Sequence, residues 1–185
     1  FNKIKNFITM KKQLSVIPSI LFLFILLTFF YLLTIERNPS GIPSNLLDKN
    51  IPNFETESLL KNEKFISSRE FGKEILLVNF FATWCKPCRD EHEYIMRFSN
   101  ENGIKIIGIN YKDNSKKTVQ WLRNLGNPYA NVPIDKDGRI AIDWGVYGIP
   151  ETFVVNSKGI IKYRHTGPIT KKIYKKINTL IKNIE

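Results

Sequence analysis

The sequence predicts an α/β fold, a mixed central sheet with flanking helices, behind one N-terminal transmembrane helix. Three observations carry this. The uncharged apolar run Val16 to Ile35 is long enough to cross a bilayer. Beyond it, apolar runs of strand length alternate with stretches of helical period. The alternation closes on a hairpin pattern and one more helix, which sets antiparallel strands beside parallel ones.

The membrane helix comes first. At ~1.5 Å per residue the run spans ~30 Å, the thickness of a hydrocarbon core. A helix apolar all round for that length is not the half-buried helix of a soluble domain. Pro18 lies near its start, where a helix tolerates proline. Lys3, Lys5, Lys11 and Lys12 precede the run, while Glu36 and Arg37 after it cancel, so the N-terminus is expected on the cytoplasmic side. A cleaved signal peptide would be shorter and end at small residues, which Glu36-Arg37-Asn38-Pro39 does not supply. The expected division is a tail over residues 1–15, a retained anchor over 16–35, a Pro/Gly/Ser linker over 36–47 and a folded domain over 48–185. Met10-Lys11-Lys12 makes a natural start, so residues 1–9 are expected to be upstream sequence or an unusual start.

Within the domain, Ile75 to Phe81 is nearly continuous apolar sequence and suits a central strand buried on both faces. From Cys85 the period changes, and Cys88, Ile95 and Phe98 share one helical face. Ile104 to Asn110 is a second strand. Ser115 is expected to cap a helix that carries Val119, Leu122 and Leu125 inward and ends at Gly126. Asp135-Lys136-Asp137-Gly138 reads as a turn. Thr152 to Asn156 and Ile160 to Arg164 flank Ser157-Lys158-Gly159 as a hairpin. The last helix follows Pro168 and Thr170 and turns Ile173, Ile177, Leu180, Ile181 and Ile184 inward.

Composition narrows the function classes. A chain of 185 residues that is 43% hydrophobic folds around a core and is not disordered. The net charge of +11 comes largely from Lys in the tail and the last helix; no nucleic-acid motif accompanies it, so it reads as a solvated face. Only two cysteines are present, too few for a disulfide-stapled scaffold.

Those two, Cys85 and Cys88, stand at the strand-to-helix junction in Trp84-Cys85-Lys86-Pro87-Cys88. A two-residue gap at a helix start brings two sulfurs within bonding reach, so the pair can form, pass on and accept a disulfide. Cys85 meets unpaired N–H groups and the positive helix end, which favour its thiolate, and Lys86 is expected to add to this. Pro87 fits because first-turn N–H groups lack helical partners anyway. Cys88, one turn further in, is expected to be the more buried. Acidity alone achieves little. Lowering a thiol from pKa ~8.5 to ~7 multiplies the thiolate at pH ~7 about fifteen-fold, but lower basicity returns roughly four- to six-fold of that. Partner recognition and redox poise must supply the rest. A zinc site would need two more ligands, and only His92 and His165 are available, so no metal is expected. A Cys-x-x-Cys between strand and helix points to a thioredoxin-like arrangement.

Thr83-Trp84-Cys85-x-x-Cys88-Arg89-x-Glu91-His92, then Gly108-Ile109-Asn110-Tyr111-Lys112-Asp113, Gly126-Asn127-Pro128-Tyr129 and Gly145-Val146-Tyr147-Gly148-Ile149-Pro150-Glu151-Thr152-Phe153, resemble the CcmG/DsbE family of thiol:disulfide interchange proteins. The resemblance runs from about Ile51 to Gly167. It implies a thioredoxin-like reductant on the periplasmic side of the bacterial inner membrane, with no cofactor beyond a redox-active Cys85–Cys88 disulfide. Its client would be apocytochrome c, or a dithiol protein of cytochrome c maturation. A DsbD/CcdA-type membrane donor would supply its electrons. By the same resemblance Pro150 matches the family's cis-proline, Ile149 presents backbone to an extended client, and Glu91 and Glu151 match its active-site acids. Asn79 stands where ordinary thioredoxins carry an acid, so Glu91 or Glu151 is expected to take the proton of Cys88. Two alternatives stand beside this reading, a general periplasmic reductase of the ResA/TlpA kind and a tethered interaction module with incidental thiols. Peroxide reduction is disfavoured by the lack of a Pro-x-x-x-Thr-x-x-Cys run.

Overall fold

The computed structural model describes residues 2–34, 46–60, 66–71 and 73–184. Helix α1 runs Asn2–Thr34, so the expected tail is helical as well, there being no glycine or second proline to interrupt it. Its described side chains, from Ile17 onward, are exposed and apolar but for the hydroxyls of Ser19, Thr28, Tyr31 and Thr34. Most of the expected linker lies outside the described residues. Helix α1 and the domain that follows are separate compact units.

The domain is built on a five-stranded sheet. Its strands are β3 (Leu76–Phe81), β4 (Lys105–Tyr111), β5 (Ile134–Asp135), β6 (Glu151–Val155) and β7 (Ile161–Thr166), in the order β5-β4-β3-β6-β7. Strand β3 pairs in parallel with β4 and antiparallel with β6, which makes it central, and all six of its residues are buried. This is the environment that a continuous apolar run requires. A small antiparallel pair, β1 (Glu55–Thr56) with β2 (Ile66–Ser67), precedes it.

Alternation along β3 divides the core in two. Leu77 and Phe81 face α2 (Lys86–Asn102), α3 (Ser115–Leu125) and α5 (Lys171–Asn183), whose Cys88, Ile95, Phe98, Trp121, Leu122 and Ile177 complete that layer. Leu76, Val78 and Phe80 face the other layer, with Phe153 and the short helix α4 (Arg139–Asp143). Each large apolar side chain buried in these layers contributes about 1.5–3 kcal/mol. Helix α2 ends at Gly103, whose φ of 62° is the left-handed cap that a side chain resists.

Two expectations are corrected, and one helix is added. The cap of α3 is Asn114, whose Oδ1 accepts from Lys117 N at 3.1 Å; Ser115 is the first helical residue. The buried face of α3 is Thr118, Trp121 and Leu122, with Val119 and Leu125 each 37% exposed, because Trp121 packs its ring against Phe81. The Asp135–Gly138 turn feeds α4, whose first turn Asp135 holds by accepting from Ile140 N and Ala141 N. At five residues α4 is too short to show a period, and Trp144 after it is buried against Phe80 and Phe153.

Candidate active site

Strand β3 delivers the chain to the site. After Phe81 the backbone turns through Ala82, Thr83 and Trp84, and Cys85 N donates to Ala82 O at 3.2 Å. The loop after β4 pins this turn: Asp113 accepts from Thr83 N at 2.5 Å and from Thr83 Oγ1 at 2.9 Å. Partial burial works against the Asp113 carboxylate, yet donors from Thr83, Asn114 and Asn110 outweigh it and hold the acid below its usual range. Trp84 Nε1 donates to Lys112 O at 3.2 Å, which leaves the indole lying 59% exposed beside the cysteines. Asp113 carried no assigned role in the sequence; only its place in a matched motif marked it.

Cys85 is the N-cap of α2, and its Sγ accepts from Cys88 N at 3.1 Å. Such a donor favours a thiolate in the reduced protein. Pro87 sits in the first turn. The sulfurs are bonded at 2.05 Å, so the structure is the oxidised state. Cys88 is 2% exposed and Cys85 5%, so Cys85 is the more open of the two but less open than the sequence suggests. Lys86 pairs instead with Asp90 at 2.9 Å and points its charge along the helix surface. The Ile149–Pro150 peptide is cis, and Ile149 O lies 3.7 Å from Cys85 Sγ. Tyr147, 68% exposed, stands in the same loop.

The two acids part company. Thr152 bonds to Asn79, so by alternation Glu151 points to the opposite face of the sheet from Asn79 and α2. There Glu151 accepts from Arg164 Nε at 2.7 Å, Arg164 Nη2 at 3.0 Å and Tyr147 N at 3.0 Å. Arg164 Nη2 also reaches Gly145 O at 2.8 Å, and the guanidinium lies 4.8 Å from the Tyr147 ring centre. Glu151 and Arg164 therefore hold Gly145 and Tyr147 in the loop whose Ile149 carbonyl faces Cys85. Nothing in the sequence tied Arg164 to this loop, since the two meet only across the β6–β7 pairing.

Glu91 is one helical turn beyond Cys88, on the same face, and it is buried. Its Oε1 accepts from Asn79 Nδ2 and its Oε2 from Ile169 N, each at 2.8 Å. Burial pushes its carboxyl up to about 8, against the pull of these two donors. A carboxyl raised this far comes close to the ordinary range of a thiol. His92 and His165 are packed rather than poised: their Nε2 atoms meet Gly126 O and Pro168 O, and burial lowers both.

The raised acid has a consequence for stability. The unfolded chain releases this proton near 4.5, the folded chain near 8. Below the lower value both states are protonated and the group is neutral to stability. Between the two the folded state holds the extra proton, so stability falls as pH rises, and the penalty is complete above about 8. The loss is on the order of several kcal/mol. Glu91→Gln is expected to flatten this decline. Chemical unfolding of the oxidised chain from about pH 5 to about pH 8 measures it; an equal decline in the variant would place its source elsewhere.

Known proteins match this geometry. Residues 47–180 fit the Redoxin family model. Over 173 residues the chain is 43% identical to the thiol:disulfide interchange protein DsbE of Tatumella citrea, covering 90% of this chain and 91% of that protein. It is 41% identical to DsbE of Escherichia coli strain K12 over 170 residues, covering 89% and 91%. Among solved structures, a secreted thiol-disulfide isomerase from Corynebacterium glutamicum superposes with a TM-score of 0.64 at 20% identity, over 77% of this chain and 93% of that one. At that identity the likeness speaks to the thioredoxin-like fold.

Proposed function

The chain belongs to the DsbE family of thiol:disulfide interchange proteins, within the wider Redoxin family, and from that membership we propose a membrane-tethered reductant of cytochrome c maturation. It is a thiol-disulfide oxidoreductase. The observation that carries the reading is Cys85 bonded to Cys88 at the N-terminus of α2, with the Ile149 carbonyl beside the first sulfur and the buried Glu91 one helical turn further along α2 from the second.

In the reduced protein the Cys85 thiolate attacks one sulfur of a client disulfide. The client S–S bond breaks, its other sulfur leaves as a thiolate, and a mixed disulfide forms. Cys88 gives its proton to the Glu91 carboxylate and attacks Cys85 Sγ. The mixed disulfide breaks, the client leaves with both thiols reduced, and the observed Cys85–Cys88 disulfide remains. Two electrons have passed to the client. The client is the haem-binding cysteine pair of apocytochrome c, or a partner dithiol protein of the same pathway, laid in extended form against the Ile149 backbone. A DsbD/CcdA-type membrane dithiol returns the electrons. The apolar helix α1 supports tethering to the inner membrane, and the lysines before its apolar stretch support a periplasmic domain.

Trapping tests the client. A Cys88→Ala chain cannot resolve the mixed disulfide, so Cys85 is expected to hold its client covalently. Recovery of an apocytochrome or one dithiol partner supports the proposal. A broad mixture of envelope proteins would make the protein a general reductase instead.

A further inference from the structure

The matched segments around Gly108 and Asn127-Pro128-Tyr129 have no part in the exchange steps above, yet they converge beneath it. Tyr129 is buried, and its ring stacks on Phe81 with centroids 4.7 Å apart. Its backbone N–H is held by Asn127 Oδ1 at 3.0 Å. The ring lies flat against β4 at Gly108, where an added Cβ would stand 2.6–2.8 Å from three ring atoms. A glycine there makes room for the ring, and the stack then aims the hydroxyl inward, where it donates to Asn79 Oδ1 at 2.9 Å. With Oδ1 so occupied, Nδ2 faces the other way and donates to Glu91 at 2.8 Å and to Thr152 Oγ1 at 3.1 Å.

We propose that Tyr129 is a positioning residue for Glu91: its hydroxyl holds the Asn79 amide in one orientation, so that a donor always faces the Glu91 carboxyl. An amide presents a donor on one side and an acceptor on the other, so its neighbours decide which way it turns. Tyr129 is a dependable donor, because burial and then the nearby Glu91 charge raise its phenol well above the ordinary value. Without that hydroxyl the amide is free to turn and offer Oδ1 to Glu91, an arrangement that suits only the protonated acid. Tyr129 thereby keeps the carboxylate within reach in a site whose burial disfavours it. Among the described residues, other titratable groups on this side include His92 and Tyr94 on its own helix, Glu101 bonded to Tyr174 of α5, His165 and Tyr163 on β7, Lys176 on α5, and Cys88 once its disulfide is reduced. Glu91's two hydrogen-bond donors are Asn79 and the Ile169 N–H.

The inference rests on the proposed role of Glu91 for its effect on exchange, but its test reads Glu91 directly. Tyr129→Phe keeps the ring, its stack and its seat on Gly108. In the oxidised full-length chain in detergent, the Glu91 carboxyl is followed by carbon-13 NMR across pH and identified by its loss in Glu91→Gln. Tyr129→Phe is expected to raise its titration midpoint by about one pH unit, the size of one hydrogen bond to a charged group. Asn79→Leu removes the same donor by another route and should raise the midpoint at least as far; adding Tyr129→Phe to it should then change nothing. An unchanged midpoint in a folded Tyr129→Phe chain overturns the proposal. So does an unchanged midpoint in Asn79→Leu, should the phenylalanine variant not fold. If Glu91→Gln leaves the pH profile of exchange as it was while Tyr129→Phe still moves the carboxyl, the proton-acceptor role falls and the positioning stands.

Discussion

A chain with Cys85 replaced by Ser is expected to lose disulfide exchange on the order of a thousand-fold or more, down to the uncatalysed background. The oxygen of serine cannot form the mixed disulfide, and Cys88 is badly placed to substitute. Cys85 caps α2, with its sulfur on the Cys88 N–H and the exposed Trp84 at its side, whereas Cys88 is enclosed among the residues packed beneath α2. Loss of fold would not explain the result. Closing so short a loop contributes at most about 2 kcal/mol of chain entropy, and the two core layers stand without it. The measurement is the rate of reduction of a disulfide peptide by the dithiothreitol-reduced chain, with circular dichroism to confirm folding. A variant that keeps a substantial part of the parent rate would move the nucleophile to Cys88.

Arg164→Ala is expected to cost about 3–5 kcal/mol of stability. Its partner Glu151 has a side chain 0% exposed, and the variant leaves that carboxylate buried with only the Tyr147 N–H. The cost therefore comes mostly from an unpaired buried charge. Neutralising Glu151 as well should recover part of it, because the penalty needs the charge. The same change frees Gly145 O from Nη2 and removes the cation above Tyr147, so the loop opposite Cys85 loses its anchor and the KM for a protein client should rise. Denaturant midpoints of the parent, Arg164→Ala and Arg164→Ala/Glu151→Gln chains decide it. A single variant as stable as the parent would mean that water already screens this pair.

Much of the molecule is legible in the order of its residues. Ile75 to Phe81 has the length and unbroken apolarity of a strand buried on both faces, and β3 is that strand. The change of period at Cys85 locates α2, and Thr170 locates the start of α5. The cysteine spacing supplies the redox pair, and the motif around Pro150 supplies the loop facing it. Local pattern fails where a tertiary partner outvotes it. Trp121 rotates the buried face of α3 because Phe81 is there to receive its ring. Helix α4 is too short for its period to show.

Local sequence was enough to determine the membrane-length helix, the apolar strand β3, and the two sulfurs at a helix start, because each depends on neighbours a few positions away. Only the packed fold could separate Glu91 from Glu151. Both are acids in the matched motifs, but strand alternation sends Glu151 to Arg164, while Glu91 on α2 is buried against Asn79. Their chemical difference comes from burial and from partners 12 to 78 residues away, which the fold alone brings into hydrogen-bond range.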